Sequence, residues 1–293
     1  MTLFPLAEVK ERTYKDRDSW WTVLLVDPIA ARITRRVAAI RFLTPNRITM
    51  IAFGIGLLAA ACFALADPMW LVLGAFLYHV SFTFDCVDGK VARLTGNGSI
   101  FGAWLDYILD RIRIVACTAA LMGGQWAATH NAAYLVVATV VIFLDMFRYL
   151  NALEVAKVHR EVSSKVEGTG APVNAAGAVR MTALAGNDKA SLFSRARRLL
   201  QRSRIRPHLF GGIEFQMAAF IVAPVVGAFA PGAIIWVILA AAVLMVLFEL
   251  AVIYMIYRAT QVADQRARTL AATVPGQPAP AEAATAAAAE SVS

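Results

Sequence analysis

Charged residues are scarce in this 293-residue chain. Only 16% of its residues are Asp, Glu, Lys or Arg, whereas 59% are hydrophobic, and the mean hydropathy is +0.61. Soluble globular domains average about 25% charged and about 45–50% apolar residues. The shortage of charge argues against a soluble enzyme, a nucleic-acid-binding domain and a disordered regulator. It predicts a polytopic membrane protein, in which the net charge of +8 reflects topology and anionic lipid and not a nucleic-acid partner.

Cysteine is also rare, and familiar nucleotide-binding loops are missing. The three cysteines, Cys62, Cys86 and Cys117, lie in apolar stretches without metal-ligand spacing. They are predicted to be small buried side chains and not a disulfide framework. The sequence contains no Walker motif, and GNGSIFG at 96–102 lacks the spacing and the preceding strand of a dinucleotide fingerprint.

Long apolar stretches, by contrast, are abundant. Six of them approach the ~20 mainly apolar residues that a bilayer-crossing helix needs. They lie at about 48–66, 68–84, 101–124, 132–153, 212–230 and 233–257. The sequence therefore predicts an all-α membrane protein with six transmembrane helices.

Positive charge is sorted across these predicted spans. With the N-terminus inside, all 28 Lys and Arg residues fall in inside segments or in the inner halves of spans. None falls in the predicted outside loops 66–67, 125–131 and 231–232. Because cytoplasmic loops carry the excess of Lys and Arg, both termini are expected in the cytoplasm, with the protein in the cell inner membrane.

Four further segments surround the spans. Residues 1–26 are expected to be a cytoplasmic N-terminal extension to a membrane domain over 27–258. Apolar and basic residues alternate at helical spacing over 27–43, which predicts an amphipathic helix on the inner leaflet, with a soluble cap helix as the alternative. The basic loop 154–211 is either a solvated topogenic loop or a contact for anionic head groups or substrate. Residues 259–293 are expected to be a disordered tail.

Acidic residues at the inner ends of the second and third spans are the strongest functional signal. Carboxylates within spans cost about 2.5–3.5 kcal/mol at mid-membrane and are functional candidates for that reason. Asp85 and Asp88 are three residues apart, and Asp106 and Asp110 are four apart, so each pair shares one helix face. A short Gly-rich turn joins the two helices, and we therefore expect the four carboxylates to meet.

Four neighbouring carboxylates need compensation. Two like charges ~4 Å apart repel by about 4 kcal/mol even at an effective dielectric of 20. Oxygen ligands suit Mg²⁺ or Mn²⁺, and a pair of divalent cations bridged by carboxylates is a common arrangement for displacement at phosphorus. The alternative is that the acids form salt bridges with Arg93, Arg111 and Arg113, although no single pairing accounts for all four.

The whole region has the form Asp85-x2-Asp88-Gly89-x2-Ala92-Arg93-x8-Gly102-x3-Asp106-x3-Asp110. At every defined position it resembles the signature of the CDP-alcohol phosphotransferase family. Six spans, cytoplasmic termini, an amphipathic N-terminal helix and Thr44-Pro45-Asn46 at the start of span one extend the resemblance to about residues 27–258.

This resemblance implies an enzyme, a transferase of substituted phosphate groups. A phosphoryl-alcohol group, such as phosphatidyl, passes from a CDP-alcohol to an acceptor hydroxyl and CMP is released. By position, the family's metal ligands correspond to Asp85, Asp88, Asp106 and Asp110, with Asp110 also the catalytic base. The resemblance places the donor among Asn46, Asp85, Gly89, Ala92, Arg93 and Gly102. It also implies a homodimer and a role in phospholipid biosynthesis.

The substrates are less constrained by the sequence. The donor could be CDP-diacylglycerol or a smaller CDP-alcohol such as CDP-inositol, and the acceptor inositol phosphate, glycerol phosphate or another small alcohol. Arg148 near the inner end of span four is a candidate for an acceptor phosphate, with Asp145 and Arg113 beside it. The alternative for Arg148 is an interfacial side chain or a partner of Asp145.

Two other functions are compatible with the same residues. Intramembrane acids and six spans also occur in divalent-cation or proton-coupled transporters. However, the acids here lie at one membrane face, and the sequence shows no inverted repeat with broken helices. A non-catalytic scaffold in lipid synthesis would have little reason to keep all four aspartates.

Overall fold

The computed structural model describes residues 4–40, 42–167, 204–206 and 210–273. Residue contacts divide the chain into two units. The first comprises Met1–Arg148 with Ala190–Phe248, and the second Tyr149–Lys189 with Glu249–Ser293. The first unit contains all of the residues at the proposed site that are discussed below.

The described part of the chain is helical and contains no β-strand, which confirms the all-α prediction. An isolated bridge pairs Asp18 with Ile205. The helices are α1 (Leu6–Thr13), α2 (Asp27–Val37), α3 (Pro45–Ala64), α4 (Pro68–Thr95), α5 (Ile100–Thr129), α6 (Ala133–Glu167), α7 (Gly212–Phe229) and α8 (Ala233–Thr273). A π-helical turn, Thr22–Val26, precedes α2, and a second one, Ala218–Val222, interrupts α7.

Five of these helices are long and apolar enough to cross a membrane. They are α3, α4, Ala133–Glu161 of α6, α7 and Ala233–Gln265 of α8, and they coincide with five of the six predicted spans. The chain is therefore a multi-pass membrane protein. The other predicted span coincides with α5, whose 30 residues would extend ~45 Å but whose inner half carries four charged residues. The count of six stays a prediction.

Several helices continue beyond the apolar stretches that predict them. Helix α4 runs to Thr95, so the motif from Asp85 to Arg93 lies on one uninterrupted helix. Helix α8 runs to Thr273, and the prediction that disorder begins at 259 is therefore wrong. Apolarity alone underestimates these helices because helical structure continues where the side chains become polar. The rest of the predicted tail, 274–293, and most of the loop 154–211 lie outside the described residues.

Small residues allow the first spans to pack closely. Helix α3 contacts both α4 and α5. A Cβ on Gly74 of α4 would lie 2.6 Å from the Phe63 ring of α3, and one on Gly124 of α5 would lie 2.6 Å from the Ala64 carbonyl oxygen. Glycine at these points lets the helix backbones approach, as small residues do in membrane helix interfaces.

The predicted amphipathic helix is present but ends earlier than expected, at Val37. Its Ala30 and Ala31 are buried against the protein, whereas Ile29 and Ile40, from the predicted apolar face, are 48% and 49% exposed. Protein contact therefore uses the small residues together with the partly buried Ile33 and Val37, whereas Ile29 and Ile40 are left exposed. The interfacial role of the helix stays a prediction.

Candidate metal and nucleotide site

Three of the four predicted aspartates converge at the inner ends of α4 and α5. Asp85 and Asp88 lie one turn apart on α4, and Asp106 lies in the second turn of α5. One carboxylate oxygen from each of the three lies within 4.8 Å of the others. A turn of four residues sets this geometry. Gly96, at φ +70°, ends α4 in the left-handed region that favours glycine, and the Ser99 hydroxyl accepts a hydrogen bond from the Gly102 amide at 2.9 Å to start α5.

The partners of Asp88 and Asp106 are compatible with cation binding. Thr49, on α3, donates its hydroxyl hydrogen to Asp88 Oδ2 at 2.6 Å and thereby orients that carboxylate. The buried Oδ1 of Asp106 has no hydrogen-bond partner among the described residues. A buried acceptor without a donor is costly. The three carboxylates, one of which has this unpartnered oxygen, form an oxygen-rich set that fits Mg²⁺ or Mn²⁺.

Arg113 connects the other two acidic side chains. Its Nη2 donates to Asp110 Oδ1, and its Nη1 lies 3.3 Å from Asp85 Oδ1. The salt-bridge alternative therefore holds for Asp85 and Asp110. Among the described ion pairs, none involves Asp88 or Asp106. Asp110 also lies outside the three-carboxylate group, so its assignments as a metal ligand and as a base stay predictions.

Arg113 is only 2% exposed and lies in a niche formed by α3 and α4. A Cβ on Gly56 of α3 would lie 2.5 Å from Arg113 Cδ, so only glycine leaves room for this side chain. Ser81 of α4 accepts a hydrogen bond from Arg113 Nη1 at 3.1 Å and donates one to the Ala52 carbonyl oxygen at 2.7 Å. The niche thus fixes the guanidinium next to the carboxylates of Asp85 and Asp110.

Asp145, predicted to bind the acceptor, has both carboxylate oxygens engaged by protein side chains, and its role at the acceptor stays a prediction. It is 1% exposed, and its Oδ2 pairs with Arg111 Nη1. Its Oδ1 accepts a hydrogen bond from Gln216 Nε2 at 2.9 Å. This network joins α5, α6 and α7. Arg148, one turn after Asp145, is half-buried, and its guanidinium carbon lies 5.2 Å from the centre of the Phe248 ring.

The residues assigned to the nucleotide form two close pairs. Nη1 of Arg93 lies 3.5 Å from the position that a Cβ on Gly89 would occupy, so the guanidinium covers the motif glycine. A Cβ on Gly102 would lie 2.5 Å from Asn46 Oδ1, so glycine at 102 lets the first turn of α3 approach α5. Ala92 is nearby, with its Cβ 3.8 Å from the corresponding position on Gly98. Nucleotide binding by these residues stays a prediction.

Sequence reasoning did not identify Thr49, Gly56 or Ser81. Thr49 follows Asn46 by three residues, and that helical spacing was the available signal for a polar side chain on the same face. Gly56 and Ser81 carry no comparable pattern, because their importance depends on the position of Arg113 on another helix.

A family model described as CDP-alcohol phosphatidyltransferase matches residues 42–191, about half of the chain. An archaetidylinositol phosphate synthase from Pyrococcus horikoshii is 38% identical over 81 residues, which are 28% of this chain and 41% of the relative. A phosphatidylinositol phosphate synthase from Corynebacterium glutamicum is 34% identical over 89 residues, 30% of this chain and 37% of the relative. The chain thus spans less than half the length of each of these curated relatives.

Solved structures that the chain matches include Mycobacterium tuberculosis phosphatidylinositol phosphate synthase. Its complex with manganese and citrate gives a TM-score of 0.45 at 20% identity, covering 80% of this chain and 89% of that one. The same enzyme with CDP-DAG bound gives 0.42 at 21% identity, covering 86% and 99%.

Proposed function

Because the chain belongs to the CDP-alcohol phosphatidyltransferase family, we propose that it is a membrane-bound CDP-alcohol phosphotransferase. The observation that carries this proposal is the convergence of Asp85, Asp88 and Asp106, together with a buried Asp106 oxygen that has no hydrogen-bond partner among the described residues. The reaction transfers a phosphatidyl or related phosphoryl-alcohol group to an acceptor hydroxyl and releases CMP.

The three converging aspartates would hold a divalent cation, Mg²⁺ or Mn²⁺. When bound, the cation supplies positive charge that neutralises the donor diphosphate and stabilises the departing CMP. Thr49 keeps the Asp88 carboxylate in place. Arg113 keeps Asp85 oriented and contributes charge compensation without occupying the three-carboxylate group. The second cation that the sequence predicts would need Asp110 as a further ligand.

Asp110 is the residue that we assign as the base. The acceptor hydroxyl oxygen forms a bond to the phosphorus that bears the donor alcohol, and its proton passes to the Asp110 carboxylate. The bond from that phosphorus to the bridging oxygen breaks, and CMP leaves with the electron pair.

The donor assignment rests on Arg93, Gly89, Asn46 and Gly102. Arg93 covers Gly89 with its guanidinium, a donor-rich group suited to a diphosphate. We propose CDP-diacylglycerol as the donor, since a membrane site at the inner end of α4 and α5 is accessible to a lipid held in the bilayer.

An inositol phosphate is the acceptor that we favour. Two relatives are named phosphatidylinositol phosphate synthase and archaetidylinositol phosphate synthase, and both names state a product that contains an inositol phosphate group. Arg148 is half-buried, in contrast to Arg113 and Asp145, and is the accessible candidate for the acceptor phosphate. Asp145 and Arg113 would then support the pocket from beneath.

Replacing Arg148 by alanine is expected to raise the KM for inositol phosphate roughly tenfold or more, because a charge-assisted contact is lost. The KM for the CDP-alcohol should stay within about twofold. Steady-state CMP release, with each substrate varied in turn, measures both constants. An equal rise in both values would contradict the assignment of Arg148 to the acceptor.

Orientation and assembly form part of the same proposal. The sorted charge supports the proposal that the carboxylate site and both termini face the cytoplasmic side of the inner membrane. A homodimer is the expected assembly. Cysteine labelling from either side of the membrane tests the first statement, and cross-linking in the membrane tests the second.

The direct test is CMP release by the purified protein with Mg²⁺ or Mn²⁺. CDP-diacylglycerol, CDP-inositol and CDP-glycerol would each be combined with inositol phosphate, glycerol phosphate, inositol and serine. We expect release that requires CDP-diacylglycerol, inositol phosphate and the metal together. Absence of release in every combination, with metal accumulating in vesicles that contain the protein, would instead favour a cation transporter.

A further inference from the structure

The short segment 204–206 pairs with the N-terminal segment of the chain, and both lie outside the family match, which covers 42–191. The Asp18 amide donates to the Arg204 carbonyl oxygen at 2.9 Å, and the Arg206 amide donates to the Asp18 carbonyl oxygen at 2.9 Å. Arg204 has a backbone φ of +62°, in the left-handed region that is unfavourable for a residue with a side chain. The fold therefore keeps Arg204 in place against a conformational cost.

The Arg204 side chain holds the backbone that follows α1. Its Nε and Nη2 donate to the Lys15 carbonyl oxygen at 3.1 and 3.0 Å, and Nη2 also lies 3.1 Å from Asp27 Oδ2. Its guanidinium carbon lies 4.2 Å from the centre of the Tyr14 ring, and the Tyr14 hydroxyl donates to the Asp27 carbonyl oxygen at 3.2 Å. One guanidinium therefore fixes residues 14 and 15 against the start of α2.

The same Asp27 carboxylate attaches the N-terminal segment to the motif helix. Its Oδ1 lies 2.9 Å from Nζ of Lys90 on α4, and both side chains are at most 5% exposed. Helix α1 also contacts α4, and Val9 of α1 and Leu94 of α4 are buried in one small apolar cluster. The N-terminal segment thus lies against the part of α4 that carries the motif.

Arg93 is the motif residue that this arrangement reaches. Its Nε donates to the Thr13 carbonyl oxygen at 3.2 Å, and its Nη1 lies 3.5 Å from the position of a Cβ on Gly89. Arg93 is exposed, and the ion pairs among the described residues do not include it. A neutral carbonyl group therefore orients this guanidinium without cancelling its charge, which remains available to an anionic ligand.

From these contacts we propose that Arg204 is a positioning residue for the CDP-alcohol donor. By holding the backbone at Lys15, it keeps the Thr13 carbonyl oxygen where it orients Arg93 for the donor diphosphate. The inference rests on the proposed function, in which Arg93 binds that diphosphate. Arg204 acts through Arg93 and does not contact either substrate, because its guanidinium is already bound to the protein.

The test compares Arg204→Lys with Arg204→Gln in the full-length protein in neutral detergent. Lysine keeps the positive charge but lacks the planar guanidinium that contacts Lys15, Asp27 and the Tyr14 ring together. In both variants CDP should bind about tenfold more weakly in the presence of Mn²⁺, as after the loss of one hydrogen bond to a charged group. The affinity for Mn²⁺ alone should not change, because the three converging carboxylates are untouched. Calorimetry measures both affinities.

A double-mutant cycle with Arg93→Ala separates positioning from general destabilisation. If Arg204 acts through Arg93, then Arg204→Lys should change the CDP affinity by less than about twofold once Arg93 is absent, whereas independent effects would add. Steady-state CMP release by the Arg204→Lys variant should show a raised KM for CDP-diacylglycerol and an unchanged KM for inositol phosphate.

Arg206→Lys is the matched control, because it makes the same change two residues away. The Arg206 side chain is 36% exposed and lies 3.6 Å from Asp18 Oδ1. Exposed ion pairs contribute little, so the CDP affinity of this variant should stay within about twofold of the wild type.

Native CDP affinity in Arg204→Lys would overturn the inference, and so would an equal loss of affinity with and without Arg93. A rise only in the KM for inositol phosphate would assign Arg204 to the acceptor instead. Failure of both Arg204 variants to fold would make its role purely structural and would also overturn the inference. If the wild type binds neither Mn²⁺ nor CDP, the proposed function itself fails.

Discussion

Replacing Asp110 by asparagine is expected to lower the rate of CMP release about 10²–10⁴-fold, the usual contribution of a positioned general base. Asparagine has nearly the same shape but cannot accept the acceptor proton. Affinity for CDP in the presence of Mn²⁺ should be almost unchanged, because Asp110 is not one of the three converging carboxylates and asparagine keeps a carbonyl oxygen that can still bind the second cation. The measurement combines single-turnover CMP release with CDP calorimetry.

The substitution also removes the ion pair between Asp110 and Arg113, so a control must show that the variant still folds. Arg113 keeps its contacts to Asp85 and Ser81 in the variant, so the fold should be retained. A melting temperature within a few degrees of the wild type would show this. CMP release at the native rate would remove Asp110 as the base, and loss of CDP binding would instead make it a donor or metal residue.

Replacing Asp106 by asparagine is expected to weaken Mn²⁺ binding at least about 100-fold and to abolish CMP release. Loss of residues that merely support metal ligands already costs about 10–100-fold, and a direct ligand should cost more. Asp106 suits this test because its buried Oδ1 has no hydrogen-bond partner among the described residues. The affinity for Mn²⁺ can be measured by calorimetry or from the electron paramagnetic resonance spectrum of the free ion.

Asp67→Asn is the matched control for that experiment. Asp67 is exposed at the opposite end of α4, where its side chain accepts a hydrogen bond from the Met69 amide. Asparagine caps helices equally well, so this variant should bind metal and turn over normally. Chelation should reversibly remove the wild-type activity. Native Mn²⁺ affinity in Asp106→Asn would mean that the metal binds elsewhere.

The part of the site that the sequence predicts well is local. Asp85 and Asp88 share a helix face by spacing alone, and a short turn brings Asp106 back toward them. Five spans were predictable for a similar reason, since apolar stretches identify membrane helices one at a time. The spacing alone does not indicate a reaction, and the CDP-alcohol substrate and the transfer reaction are predicted only from the resemblance of the motif to the family signature.

The contacts that escaped prediction connect helices that are distant in the sequence. Gly56 makes room for Arg113 across 57 positions of sequence, and no local pattern at Gly56 indicates this. The sequence predicts that Asp145 lies at the membrane depth of the acceptor pocket, but it does not indicate that side chains of α5 and α7 bind both of its carboxylate oxygens. The continuation of α8 to Thr273 was missed because apolarity, the signal used, ends before the helix does.

The four-residue turn 96–99 also bears on how the protein enters the bilayer. Helices joined so closely insert together as a hairpin, and every charge on them must be accommodated during biogenesis, at about 2.5–3.5 kcal/mol each near mid-membrane. Arg113 has both acidic partners, Asp85 and Asp110, on that same hairpin, so the charges can enter as a neutralised group. Arg111 differs, because it lies 3.7 Å from Asp110 on the hairpin but has its closer partner, Asp145, on α6. The hairpin thus carries the three converging carboxylates together with the counterion of one of them, whereas the close ion pair of Arg111 forms only when the next helix has been synthesised.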